Sequence, residues 1–208
     1  MKNIQKALLA VIPYILIRLL FIFAPEETAR FDQSVTDFVI QFRNGIADIY
    51  FRLMTTLANE EFVIIAILVM LLVVVLAFRK WRVALIYLVG VVVGNLGVNS
   101  SLKNVFKRER PAEELRLVSE SSFSFPSGHS FASAMIYPLT AYILMRYTSL
   151  GRYPKTVAVV VALIILSIGF SRIYLGVHFL TDVLAGYSLG YAFYYLTRFV
   201  IEKVENVT

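Results

Sequence analysis

The run from Val63 to Phe78 contains no charged or strongly polar side chain, and a chain can bury such a run only in a bilayer or at the centre of a helical bundle. Counting that run as 61–78, six apolar stretches follow one another, the others at roughly 7–24, 82–101, 129–147, 155–173 and 178–200. Each approaches the about 20 apolar residues that a helix needs to cross the hydrocarbon core. Strands of a membrane barrel would alternate apolar and polar residues over about ten positions, which this continuous run does not do. Composition agrees, since 59% of the 208 residues are hydrophobic and 16% are charged. We expect an all-α, polytopic integral membrane protein with six transmembrane helices, folded as a single membrane-embedded domain over residues 1–208. So short a chain leaves little room for a second domain.

The net charge of +6 invites a nucleic-acid reading, but no Lys/Arg run on a soluble face is interleaved with exposed aromatics. Loop and site charges explain it better. The absence of cysteine excludes disulfides, thiolate metal sites and a cysteine nucleophile, and two histidines are too few for a histidine-rich metal cage. Lys2 and Lys6 ahead of the first apolar run resemble a signal peptide. The small-x-small cleavage pattern is missing, however, and Pro25-Glu26-Glu27 ends the run, so it reads as a retained first span.

Residues 25–60 differ in kind. Phe31, Val35, Phe38, Phe42, Ile46, Ile49, Leu53 and Leu57 recur at threes and fours, with Asp32, Asp37, Arg43, Asp48 and Arg52 between them. This is an amphipathic helical pattern, broken near Asn44-Gly45, that suits a surface helix covering the bundle or a lid for lipid. Two G-x-x-x-G pairs, Gly90/Gly94 and Gly186/Gly190, allow close helix approach, and we expect them to pack within the chain. With six spans, Lys2 and Lys6, Arg79 to Arg82, Arg146 to Lys155, and Arg198 with Lys203 share one side. The positive-inside bias makes that side, and both termini, cytoplasmic in a cell membrane. Arg18 in the first span reads as an interfacial arginine reaching for headgroups. The opposite side then carries Lys103, Lys107, Arg108, Arg110 and Arg116, against the bias, and these charges need a local reason.

Three clusters on that outer side supply one. Lys103 and Arg110-Pro111 follow the third stretch, Pro126-Ser127-Gly128-His129 opens the fourth, and Ser171-Arg172 with His178 and Asp182 joins the fifth to the sixth. Taken singly, the basic residues suit interfacial anchors, Ser127 a helix cap and His178 an interfacial ring. Taken together, they suit phosphoryl transfer, which needs positioning and charge stabilisation above all. Lys103, Arg110 and Arg172 would bind the phosphate oxygens, with Ser127 and Gly128 adding N–H groups at a helix N-terminus. His178 and Asp182, four apart, would share a helical face, so that the carboxylate orients one ring nitrogen and frees the other as a nucleophile. His129 would protonate the leaving oxygen and then activate water.

At these residues the chain resembles the type 2 phosphatidic acid phosphatase family, whose signatures K-x6-R-P, P-S-G-H and S-R-x5-H-x3-D are complete here and in order. The resemblance covers about the last half of the chain. It implies a lipid phosphate phosphohydrolase without metal or other cofactor, working through a phosphohistidine on His178, while the topology read above leads us to expect the site on the extracytoplasmic side. Phosphatidylglycerol phosphate is the substrate we expect, with undecaprenyl diphosphate as the alternative. The partners implied are the lipid phosphate and surrounding membrane lipids, with no nucleic acid and no obligate protein partner. Vanadium-dependent haloperoxidases are similar at the same pocket but are soluble. A lipid transporter or scramblase is the competing class, and a structural membrane protein a third.

Overall fold

The computed structural model describes residues 2–206, and among these there are nine α-helices and no strand. They are α1 (Asn3–Phe23), α2 (Pro25–Ile40), α3 (Gly45–Thr56), α4 (Glu60–Leu72), α5 (Trp81–Val92), α6 (Ser100–Phe106), α7 (Gly128–Tyr147), α8 (Pro154–Tyr174) and α9 (Leu180–Glu205). Wider π turns at Val73–Ala77 and Val93–Asn99 extend α4 and join α5 to α6. All six apolar stretches are therefore helical.

Four helical segments are long and apolar enough to cross a membrane: Asn3–Phe23, Glu60–Ala77, Trp81–Phe106 and Pro154–Tyr174. The other two long helices, α7 and α9, carry more polar residues because they face protein. α9 packs most extensively on α7 and α1, and the core between them holds Phe131, Met135, Leu139, Ile143 and Ile201 with Tyr87 and Val91 of α5. The apolar helices around this pair leave Leu16, Ile65, Leu68, Leu72, Leu163 and Leu166 exposed on the outer surface. That is the distribution a lipid solvent produces.

Both glycine pairs pack inside the chain, as expected. A side chain at Gly90 would strike Thr197 of α9, one at Gly94 would meet Phe131 and Met135 of α7, and those at Gly186 and Gly190 would run into the backbone of α7.

At one end of the bundle, Lys80 and Arg146 both pair with Glu205, at 3.7 and 2.5 Å, and Asn3 donates to Glu202 at 2.6 Å. The basic segments predicted to share a side do converge. Arg18 lies toward the other end of α1, its guanidinium stacked 3.8 Å from the centre of the Phe106 ring.

The 25–60 segment breaks where the sequence predicts. Asn44 caps α3, its side chain accepting from the Ala47 N–H at 3.0 Å. Its faces, however, are reversed relative to a helix that seats its apolar side on a protein core. Phe31, Phe38, Phe42, Ile46, Ile49 and Leu53 point outward, while α2 buries Thr28, Asp32, Thr36 and Val39. Pairing with polar groups at the end of the bundle draws the polar face inward, and the aromatic face is left for an apolar solvent. Arg43, just after α2, donates to the carbonyls of Tyr174 and Leu115, fastening the segment to the end of α8.

Candidate functional site

The eight candidate residues come from four helix ends. Lys103 lies in the last turn of α6, and Arg110 in the loop that follows. Ser127 is the N-cap of α7, with Gly128 and His129 in its first turn, while Arg172 lies in the last turn of α8. Asp182 is in the first turn of α9. His178 differs from expectation, since it precedes α9 rather than sharing a helical face with Asp182. The chain leaves α8 through Gly176, whose φ of +73° places it in the left-handed region, and the N–H groups of Val177 and His178 both fold back onto the Arg172 carbonyl at 3.1 and 3.2 Å. This turn brings the histidine against Arg110.

His178 is buried, and its two ring nitrogens meet opposite environments. Nε2 lies 3.1 Å from Arg110 Nη1. Nδ1 lies 3.2 Å from Ser124 Oγ, which donates to Asp182 Oδ2 at 2.5 Å. The direct Nδ1 to Asp182 Oδ2 separation is 3.5 Å, so Ser124 bridges ring and carboxylate. A proton on Nδ1 is satisfied by this bridge, leaving the Nε2 lone pair toward the cations. Burial holds the ring well below the ordinary imidazole pKa, and Arg110, Arg172 and Lys103 act in the same direction, so His178 is neutral at neutral pH.

Arg110 and Arg172 are joined by a carboxylate. Glu120 Oε1 accepts from Arg172 Nη2, and Glu120 Oε2 lies 3.4 Å from Arg110 Nη2. Arg172 Nη1 donates to Thr55 Oγ1 at 2.5 Å, while its Nε is buried without an acceptor. An oxyanion between the two guanidinium groups would find unspent donors there. Lys103 donates to the Phe123 carbonyl on the same loop. The Ser122 carbonyl and the Val177 carbonyl, each 2.7 Å from an Arg110 donor, hold that side chain in place. A cavity of about 350 Å³, lined in part by Arg110, Arg116, Glu120 and Ser122, borders the Arg110 and Glu120 side of this cluster without being lined by Arg172, Lys103 or His178.

The Ser127 side chain caps α7, accepting from Ser130, and its own N–H donates to the Asp182 carbonyl at 3.0 Å. Ser127 thus ties the start of α7 to α9 and offers no free N–H. The N–H groups of Gly128 and His129 have no acceptor among the described residues and remain the donors of this helix start. His129 Nε2 lies 2.9 Å from Asn59 Oδ1, at the start of α4.

Several residues here were not assigned to the site from the sequence, where Arg108 stood only as a charge in need of a local reason. Ser124, Glu120, Thr55, Asn59 and Arg108 each touch a candidate side chain. Arg108 pairs with Asp182 Oδ1 at 2.6 Å and with Asp32 Oδ2 at 2.7 Å, while Arg116 donates to the Pro111 carbonyl at 2.8 Å. The excess of basic residues in this loop therefore has its local reason. Ser124 lies two residues before the second signature and Arg108 inside the first, whereas Asp32 stood only in an amphipathic pattern and nothing marked Thr55 or Asn59.

The arrangement, a neutral imidazole with one nitrogen backed by Ser124 and Asp182 and the other 3.1 Å from an Arg110 donor, is suited to attack on the phosphorus of an oxyanion. A model described as PAP2 superfamily matches residues 80–205. Phosphatidylglycerophosphatase B of Bacillus subtilis (strain 168) is 44% identical over 110 residues, covering 52% of this chain and 54% of that protein. The chain thus matches about half the length of this curated relative. The crystal structure described as the first transmembrane PAP2 type phosphatidylglycerolphosphate phosphatase, also from Bacillus subtilis, aligns with a TM-score of 0.88 at 30% identity, over 96% of this chain and 97% of that one. Aquifex aeolicus LpxE aligns at a TM-score of 0.61 and 20% identity, over 80% and 93% of the two chains, a likeness of fold alone.

Proposed function

Because the chain belongs to the PAP2 superfamily, we propose that it is a membrane lipid phosphatase that hydrolyses a terminal phosphate from its headgroup, with phosphatidylglycerol phosphate as substrate. The observation that carries this reading is the divided environment of His178, whose Nδ1 is backed by Ser124 and Asp182 while Nε2 faces Arg110. Similarity to the phosphatidylglycerophosphatase B and the phosphatidylglycerolphosphate phosphatase structure of Bacillus subtilis supports the choice of lipid.

In the first step Nε2 attacks phosphorus and the bond from phosphorus to the lipid oxygen breaks. The leaving oxygen takes a proton from His129, which must enter this step as an imidazolium, with Nε2–H on Asn59 Oδ1 and the transferable proton on Nδ1, and leaves it neutral. The ring becomes a phosphoryl-imidazolium, and the buried Asp182 balances its positive charge through Ser124. Arg110, Arg172 and Lys103, with the N–H groups of Gly128 and His129, stabilise the equatorial oxygens. In the second step water attacks phosphorus, His129 takes its proton, and the bond from nitrogen to phosphorus breaks to release inorganic phosphate.

Six crossings, with α7 and α9 as the two shielded by other helices, put the basic end of the bundle in the cytoplasm and the site on the outer side. The termini are then cytoplasmic, and the substrate headgroup lies in the outer leaflet. The outward aromatic face of α2 fits an interfacial position at that leaflet.

The test uses purified protein in detergent, with chelator present, against phosphatidylglycerol phosphate, undecaprenyl diphosphate and phosphatidic acid in parallel. We expect turnover that survives chelator, is fastest on phosphatidylglycerol phosphate, and passes through an acid-labile phosphoenzyme that His178→Ala abolishes. Preference for undecaprenyl diphosphate would reassign the lipid. Dependence on metal, or turnover by His178→Ala, would refute the chemistry, and lipid translocation surviving in His178→Ala would favour a transporter.

A further inference from the structure

None of the three signatures includes the segment between α1 and α4, yet it reaches the support of the catalytic pair. Asp32, on the inward face of α2, is 0% exposed, as is Asp182. Asp32 Oδ2 accepts from Arg108 Nη2 at 2.7 Å and from Thr181 Oγ1 at 2.5 Å, and Asp32 Oδ1 accepts from the Thr181 N–H at 3.1 Å. The other end of the Arg108 fork, Nη1, donates to Asp182 Oδ1 at 2.6 Å and to Thr181 Oγ1 at 2.8 Å. One guanidinium is therefore shared between two buried carboxylates from opposite ends of the chain. Rings flank it as well, with Phe21 of α1 4.7 Å and Phe179 4.4 Å from its carbon.

We propose that Asp32 is a positioning residue for the phosphatase reaction, holding Arg108 so that Asp182 keeps Oδ1 on the guanidinium and Oδ2 on Ser124. This rests on the reading of His178 as nucleophile. The physical need is twofold. Two buried carboxylates repel unless a cation stands between them, and a cation serving Asp182 alone would neutralise the charge that must balance the phosphoryl-imidazolium. With Asp32 in place the trio carries a formal charge of −1, so Asp182 remains an effective counter-charge. The fork also fixes the carboxylate plane, since Oδ2 has two further donors, Ser124 Oγ and the Phe179 N–H at 2.9 Å. α2 thus acts as a strut from the interface to the catalytic turn, which explains a carboxylate on the buried face of a helix whose opposite face is aromatic.

The experiment is a double-mutant cycle on the full chain in mixed micelles, with short-chain phosphatidic acid as probe. Asp32→Asn should lower kcat about tenfold or more with KM nearly unchanged, the range seen when an outer partner of a site ligand is lost. Asp182→Asn should lower it further, and Asp32→Asn with Asp182→Asn should be no slower than Asp182→Asn alone, because the first residue acts through the second. If the two losses multiply, or if Asp32→Asn keeps wild-type kcat, the positioning role is overturned. Should Asp32→Asn not yield folded protein, Arg108→Lys, which retains charge but loses the fork, is carried through the same cycle with the same expectation. His178→Ala separates the two levels of the argument. Turnover by that variant refutes the chemistry, whereas its inactivity beside a fully active Asp32→Asn refutes the strut alone.

Discussion

Replacing Glu120 with glutamine tests whether this carboxylate occupies the position that a substrate phosphate must take. In the unliganded protein it spans Arg172, whose side chain is 1% exposed, and Arg110, at 4%, while itself being 23% exposed. A hydrogen bond to a charged group contributes about 1.5–3 kcal/mol. The Arg110 contact, at 3.4 Å, belongs at the low end of that range. Part of the cost of displacing the carboxylate is recovered when it swings into water, so a net penalty of about 1.5 kcal/mol on anion binding is reasonable, close to tenfold in affinity. Glu120→Gln should therefore bind orthovanadate or inorganic phosphate about tenfold more tightly, read as a lower inhibition constant in a phosphate-release assay. Removing one partner of a buried pair also destabilises the free protein. The melting temperature should fall without anion and recover by more than the wild type does on adding vanadate. Unchanged or weaker vanadate binding would refute the reasoning and make Glu120 a part of the binding surface.

Ser124→Ala removes the bridge between His178 Nδ1 and Asp182, and kcat should fall ten- to a hundredfold with little change in KM, as for other outer-shell losses; an equal rise in KM would count against orientation as its role. Protonation of His178 should silence the free enzyme, so kcat/KM should fall toward low pH, with the acid limb below the ordinary imidazole value of 6.5 because burial and Arg110 disfavour the cation. A limb at or above that value would contradict the assignment. Gly190→Val forces atoms into the Phe131 carbonyl, which a side chain at 190 would meet at 2.5 Å, and should cost about 1–3 kcal/mol or more of stability, visible as a lower melting temperature in detergent. A melting temperature within error of wild type would mean that α7 and α9 can separate freely.

The helices and the cluster of candidate site residues could be read from the sequence for different reasons. Lipid demands long apolar runs, and those runs mark helices however the helices later pack. Lys103, Arg110, His129, Arg172, His178 and Asp182 could be found because their spacings are local. Asp32, Thr55 and Asn59 could not, since each finds its partner 70 or more positions away and no spacing records that. Asp32 also had an ordinary place in an amphipathic pattern. The inward polar face of α2 escaped notice because periodicity gives the existence of two faces and not which of them meets protein. His178 was expected on the helix of Asp182 because four-residue spacing suits a helix, but Gly176 allowed the chain to turn before α9 began.

The two glycines on α9 set more than stability. An added carbon at 186 would lie 2.6 Å from the Ser127 carbonyl, so α7 at its first turn is as near to α9 as backbones allow. Ser127 begins the turn proposed to face the phosphate, and Asp182, one helical turn before Gly186, is bridged to His178 by Ser124. The separation of cradle and attacking base is therefore gauged by missing side chains. A methyl group there would lengthen the reach from nitrogen to phosphorus while leaving every reacting residue in the sequence, and the enzyme would lose rate without losing any of its chemistry.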